Sequence, residues 1–269
     1  MRKILHAPLI LVDSHCHLNY PEIYPNLDAV LKNAKAYDIH YCLTINTRLS
    51  ETVLIKEIAK AHPHIFCTVG VHPHDAKDHD VDTLFAALSD HAKDPKVVGL
   101  GETGLDYYYD NSPRDEQMTC FDIHLTASKH FKLPVVIHTR DADNDTLALV
   151  RQHPDATGVF HCFSGDLDLA RSALDLGYYL SFSGIITFKK AQELRDVVKF
   201  TPIDRMLIET DSPFLAPIPY RGQPNQPAWT RLVAEKVSDI KGISLEEVAA
   251  TTTANFFRLF HKAKPSYFA

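Results

Sequence analysis

The chain has 269 residues, 45% of them hydrophobic and 23% charged, an ordinary globular balance with enough apolar material for one sizeable core; disorder, collagen-like repeats and a disulfide-stapled miniprotein are excluded. Lys and Arg total 28 against 34 for Asp and Glu, a net charge of −6. The surface as a whole therefore does not attract polyanions, and any nucleic-acid contact has to be local.

At the N-terminus, residues 1–8 begin basic like a signal peptide, but His6 and Pro8 break the apolar run. Nowhere do 18 apolar residues follow one another, so neither a secretion signal nor a membrane span is expected. The five cysteines form an odd set without a CxxC pair, which suits a reducing compartment and a cytoplasmic location. Beyond residue 8, short aliphatic and β-branched runs alternate with amphipathic stretches. Strands are predicted at 9–17, 41–46, 66–72, 97–102, 134–138, 157–161, 178–183 and 206–211, with helical segments such as 28–37 and 119–132 between them. Repeated βα units over this length predict one α/β domain covering 1–269, a (β/α)8 TIM barrel. Pro213, Pro217, Pro219, Pro224 and Pro227 mark 212–228 as an irregular loop over the barrel mouth. After it come an eighth helix at 228–240 and an extra C-terminal helix. Ser244 and Glu247 form a capping box for that last helix, and its Phe256, Phe257 and Phe260 are expected to pack inward.

The first strand ends Val12-Asp13-Ser14-His15-Cys16-His17. Alternation along a strand turns His15 and His17 to one face, where two imidazoles can share a metal. Glu102, His138, His161 and Asp211 stand at the ends of four other predicted strands. In a parallel barrel those ends meet at one mouth, the usual place for catalytic groups. Six convergent N and O donors suit two divalent ions about 3.5 to 4 Å apart, with Glu102 able to bridge. The same alternation places Asp13 and Glu209 one layer deeper, facing inward, with roles in orienting a liganding imidazole or a neighbouring donor. Pairing with a basic side chain at the barrel floor is the bland alternative. The segment Gly101-Glu102-Thr103-Gly104 lacks the spacing of a nucleotide-phosphate loop.

The motifs DSHCH at 13–17, GVHPH at 70–74, GETGLDY at 101–107, HTRDA at 138–142, HCFSG at 161–165 and ETDSP at 209–213, taken in order, resemble those of the TatD family, metal-dependent deoxyribonucleases within the amidohydrolase superfamily. The resemblance spans essentially the whole chain. It implies one ion among His15, His17, Glu102 and Asp211 and a second among Glu102, His138 and His161. It departs at Gln226, where many relatives carry an acid before the proline, which bears on substrate range.

The matched reaction is phosphodiester hydrolysis by a water activated between two cations, with Asp211 taking its proton. Arg140 and His72 are candidate phosphate contacts, and His74 a support for its loop. Tyr107, with Tyr108 and Tyr109, is a candidate for stacking on unpaired bases, although at least one of the three is expected to pack against a helix. The expected partner is DNA or a short oligonucleotide, better a frayed end than a long duplex; no membrane and no obligate protein partner is indicated. Imidazole and carboxylate donors suit Zn, Mn, Co or Ni, with Mg also to be considered. The rival readings are a cyclic amide hydrolase, a phosphomonoesterase and a metal-stabilised barrel that only binds. Glu102, where many binuclear amidohydrolases bridge their metals with a carboxylated lysine, favours the phosphodiesterase.

Overall fold

The computed structural model describes residues 9–265; the basic N-terminal stretch read above lies outside them. Strand and helix alternate along the chain: β1 (Leu11–Cys16), α1 (Leu27–Ala36), β2 (Ile39–Thr44), α2 (Thr52–Ala61), β3 (Ile65–Val69), α3 (Val81–Ala92), β4 (Val97–Asp106), α4 (Arg114–Phe131), β5 (Val135–Arg140), α5 (Asp143–Gln152), β6 (Gly158–Phe160), α6 (Leu167–Asp175), β7 (Tyr179–Phe182), α7 (Gln192–Phe200), β8 (Met206–Ile208), α8 (Thr230–Lys241) and α9 (Leu245–Leu259). The strands lie parallel in one sheet in the order β1 to β8. The segment after β8 returns to β1 through Asp211 N–H to His15 O (2.9 Å) and His17 N–H to Ser212 O (2.8 Å), which makes a nearly closed barrel with the helices outside.

Period-two alternation divides the apolar residues into two cores. Val12, Tyr41, Leu43, Phe66, Val98, Val136, Val159, Tyr179 and Leu207 face inward and meet Phe256 and Phe260 of α9, which plug the floor. Leu11, Ile39, Ile65, Val97, Val135, Phe160, Leu180 and Met206 face outward under the helices. Helix α9 begins as its residues predict, Ser244 Oγ accepting from Glu247 N–H at 3.1 Å. It is tied to β8 by Asn255, whose amide donates to the carbonyls of Ile203 and Met206.

Two differences from the sequence reading bear on the site. Strand β4 runs on to Asp106 rather than ending at Glu102. Gly104 permits this: with φ +136° it has a backbone that L side chains rarely adopt, and a Cβ there would lie 1.9 Å from the carbonyl oxygen of His138. The second difference is in β1, whose pairing shifts register between Asp13 and Cys16. No helix among the described residues is long and apolar enough to cross a membrane.

Candidate metal centre

At the carboxyl ends of the strands the predicted donors converge around Glu102, which is 3% exposed. Its Oε2 lies 3.4 Å from His15 Nε2. Its Oε1 lies 2.7 Å from His161 Nε2, 3.2 Å from His138 Nδ1 and 3.4 Å from His72 Nε2. Asp211 Oδ1 sits 3.4 Å from His17 Nε2 and 3.6 Å from His15 Nε2, and the His15 and His161 rings stack at 3.8 Å. Three overlapping groups bring one donor atom each within 4.8 Å of the others: His15 with His161 and Asp211, His15 with His17 and Glu102, and His72 with Glu102 and His138. Both nitrogens of His15, and His161 Nε2, are buried without a hydrogen bond. Buried polar atoms are normally paired, so lone pairs crowded together yet unaligned for hydrogen bonding fit a cation as their common partner.

The hydrogen-bond network separates the imidazoles by tautomer. His161 Nδ1 faces Glu209 Oε1 at 3.3 Å and His138 Nε2 faces Asp106 Oδ2 at 3.0 Å. Each ring donates one proton outward and turns its other nitrogen to Glu102; the neighbouring carboxylates outweigh burial and raise both imidazoles, His161 well above its usual range, so that a cation would take that nitrogen's lone pair in place of a proton. His72 is the reverse, since its Nδ1 accepts the N–H of His74 at 3.1 Å. The neutral ring then carries its proton on Nε2, aimed at Glu102, as a donor rather than a ligand. Burial holds His72 neutral, lowering its pKa to about 4 despite nearby Glu102.

Burial disfavours the ionised forms of Glu102 and Asp211, but the imidazoles around them outweigh it. Glu102 is held well below the usual carboxylate range and Asp211 also below it. Backbone geometry serves the same end. Asp211 (φ +57°) and Cys162 (φ +42°), which follows His161, are left-handed, a conformation that costs an ordinary residue roughly 1 to 2 kcal/mol and recurs at functional sites.

The outer residues behave less uniformly. Glu209 lies where it was expected, its Oε1 accepting from Cys162 N–H (2.8 Å) while facing His161. Asp13 meets neighbouring donors, one of its two expected roles, but its inward placement requires a correction. Leu11 faces out and Val12 in, so the inner layer falls to Ser14, which meets Ser181 Oγ at 3.1 Å; the register shift then returns His15 and His17 to the inside. Asp13 accepts from Thr210 N–H (2.9 Å), Thr210 Oγ1 (2.5 Å) and His15 N–H (3.3 Å). It braces the chain on either side of the ligands without touching an imidazole or a basic side chain, and burial raises its carboxyl to about 8 against those hydrogen bonds.

A cavity of about 840 Å³ opens above the donors and is walled in part by His72, Arg140, Tyr109, Tyr20 and Phe214. Tyr107 is a second correction. Its hydroxyl donates to Asp145 (2.8 Å) and its ring lies under Arg114 (4.2 Å), while Tyr109 takes the cavity wall. Arg140 stacks on Tyr108 at 3.9 Å and lies 4.8 Å from Tyr109. Gln226 is spent on α1, accepting from Asn33 Nδ2 at 2.7 Å. The sequence reading gave no role to Asp106, a buried carboxylate shared by His138 and His74, each 2.9 to 3.0 Å away. Its signal was present in the four-residue spacing from Glu102, which places both on one face of β4.

The family described as TatD related DNase matches residues 12–261. The chain belongs to this family. Among its relatives, the metal-dependent hydrolase YcfH of Escherichia coli K12, itself described as uncharacterised, is 44% identical over 259 residues, covering 94% of this chain and 96% of that protein. YabD of Bacillus subtilis 168, described in the same terms, is 37% identical over 93% of this chain and 99% of its own length. The crystal structure of YjjV, a TatD homologue from Escherichia coli K12, superimposes with a TM-score of 0.89 at 27% identity, covering 93% of this chain and 98% of that one. The protein is thus a metal-dependent hydrolase of the TatD family, with an eight-stranded parallel barrel and a cluster of His, Glu and Asp that can bind metal at its mouth.

Proposed function

We propose that this TatD-family protein hydrolyses phosphodiester bonds at single-stranded DNA ends, with two divalent cations held by His15, His17, Glu102, His138, His161 and Asp211. The observation that carries this is the position of Glu102: one oxygen faces the His15 side and the other the His138 and His161 side, as suits a carboxylate shared between two ions. Bound cations would supply charge neutralisation on the phosphoryl group and a water acidified toward neutrality.

The chain's own residues do the rest. Asp211, ionised and set against His15 and His17, accepts the proton of the attacking water and returns it to the leaving oxygen. Glu209 and Asp106 hold the His161 and His138 rings in the tautomer that presents a lone pair. His72 offers its Nε2 proton, and Arg140 its guanidinium, to non-bridging phosphate oxygens. The five cysteines are free thiols, in keeping with a reducing, cytoplasmic setting.

The test is a panel of purified protein loaded with defined metals and given single-stranded, tailed and blunt oligonucleotides, a phosphomonoester and a cyclic amide, together with metal analysis. DNA cleavage at about two ions per chain, abolished in Glu102→Gln, is expected; cleavage of the amide alone, or one ion or none per active chain, overturns the reading.

A further inference from the structure

Phe214 stands three residues beyond Asp211, lines the cavity and is 50% exposed. Single exposed apolar side chains are ordinary on protein surfaces, but this one is fixed from two directions. Its ring meets Tyr20 edge-on at 5.9 Å and His17 at 6.2 Å, and Tyr20 in turn stacks on His17 at 4.6 Å. Its main chain is braced by its own N–H to Asp211 O (2.8 Å) and by buried Asn225, whose amide donates to the carbonyls of Phe214 (2.6 Å) and Thr210 (2.9 Å). Asp211 and Phe214 thus ride on one rigid turn, and the distance from aromatic face to reacting centre is preset.

The wall across the barrel, beyond β4, carries Tyr109. It is 55% exposed, edge-on to His74 at 5.4 Å, with Arg140 above its ring. The donor cluster lies between these two half-exposed aromatic side chains, both of which line the cavity. A ligand that satisfies all three parts has an anionic centre flanked by two flat apolar groups that can be splayed apart. Consecutive nucleotides of an unpaired strand have that form, whereas bases held in a duplex stack on one another and cannot reach both walls.

We propose that Phe214 is the specificity-determining residue for single strands, stacking the nucleobase on the Asp211 side of the scissile phosphate. The proposal rests on the phosphodiesterase reading above and deepens it. Stacking of a base on an aromatic side chain corresponds to a loss of roughly tenfold or more on truncation to alanine.

The test is a cycle of protein and substrate changes on the metal-loaded enzyme. Phe214→Ala is expected to lower kcat/KM about tenfold on a single-stranded oligonucleotide, Phe214→Leu nearly as much, and Phe214→Trp to restore it. On an oligonucleotide abasic at that position, wild type and Phe214→Ala are expected to be equally slow. A 2-aminopurine placed there gives a readout independent of turnover: its fluorescence is quenched on binding wild type and not Phe214→Ala. Undiminished cleavage of single strands by Phe214→Ala, or a penalty that persists in full on the abasic substrate, overturns the proposal while the nuclease reading stands. Failure of wild type to cut any oligonucleotide overturns both, and is recognised before any variant is made.

Discussion

At the floor of the barrel, Val12, Phe66, Val98 and Val136 close on Phe256 and Phe260. A few residues further along three of the same strands, His15, Glu102 and His138 crowd together with unpaired nitrogens and a buried carboxylate. Both layers lie on the inner face of the strands, in β1 only by way of the register shift, yet the first is favourable by itself and the second is not. Burial of apolar side chains stabilises the floor by about 25 cal/mol per Å², whereas desolvating ionisable groups costs several kcal/mol each unless a partner compensates. Stability is concentrated at one end so that the other can hold groups in a strained and underpaired state.

The sharpest way to break that division is Glu102→Gln. Removing the charge that both clusters face should cut activity by at least about 10³-fold and reduce bound metal, with thermal stability of the metal-free protein little changed. A large fall in that stability would mean that the mouth also carries the fold. The converse is Phe260→Ala, which should cost about 3 to 5 kcal/mol and lower Tm by roughly 5 to 9 °C, while kcat/KM measured well below Tm stays near wild type. Loss of metal from this variant while still folded would show that floor and mouth are coupled.

His124 lies on the boundary. Buried in α4, it donates from Nδ1 to Cys120 O (2.7 Å) and accepts Val71 N–H on Nε2 (3.2 Å), beside His72. Burial lowers its pKa to about 4. Because the folded value lies below the unfolded one, near 6.5, the unfolded chain binds the extra proton between them. Stability from this group is therefore complete above pH 6.5 and falls by about 3 kcal/mol as pH drops to 4. Glutamine can both donate and accept, so His124→Gln should flatten that part of the stability profile in denaturant titrations at several pH values. Parallel profiles for variant and wild type would rule out the assignment.

How much of this could be read beforehand follows the same division. The barrel and its floor were legible because apolar alternation is repeated in every strand, and α9 because Ser244, Glu247 and the Phe residues are local signals. The donors of the mouth were legible as strand-terminal His, Glu and Asp residues. What escaped depended on register and on backbone geometry. Asp13 was placed inward because a shift between Asp13 and Cys16 has no signature in residue type. Tyr107 was favoured over Tyr109 because the end of β4 was set too early, at Glu102 rather than Asp106. The tautomers that separate His72 from His138 depend on the His74 amide, a contact set by the turn after β3, and on Asp106, which reaches from β4 to β5; neither follows from spacing along one strand.

Asp106 gives the smallest and most discriminating prediction. Its Oδ2 meets His138 Nε2 and His74 Nε2, while its Oδ1 accepts the N–H groups of Tyr108 and Tyr109. It thereby joins a candidate ligand to the loop that carries the aromatic wall. Asp106→Asn keeps the shape and can still accept from one histidine, but it removes the charge that holds the proton on Nε2 of His138. Metal affinity on the His138 side should weaken about 10- to 100-fold, so that activity is recovered by raising metal concentration. Glu102→Gln should show no such recovery, because a lost ligand is not a misoriented one. If Asp106→Asn also stays inactive at saturating metal with its fold intact, Asp106 acts on the reacting groups themselves rather than through the orientation of His138.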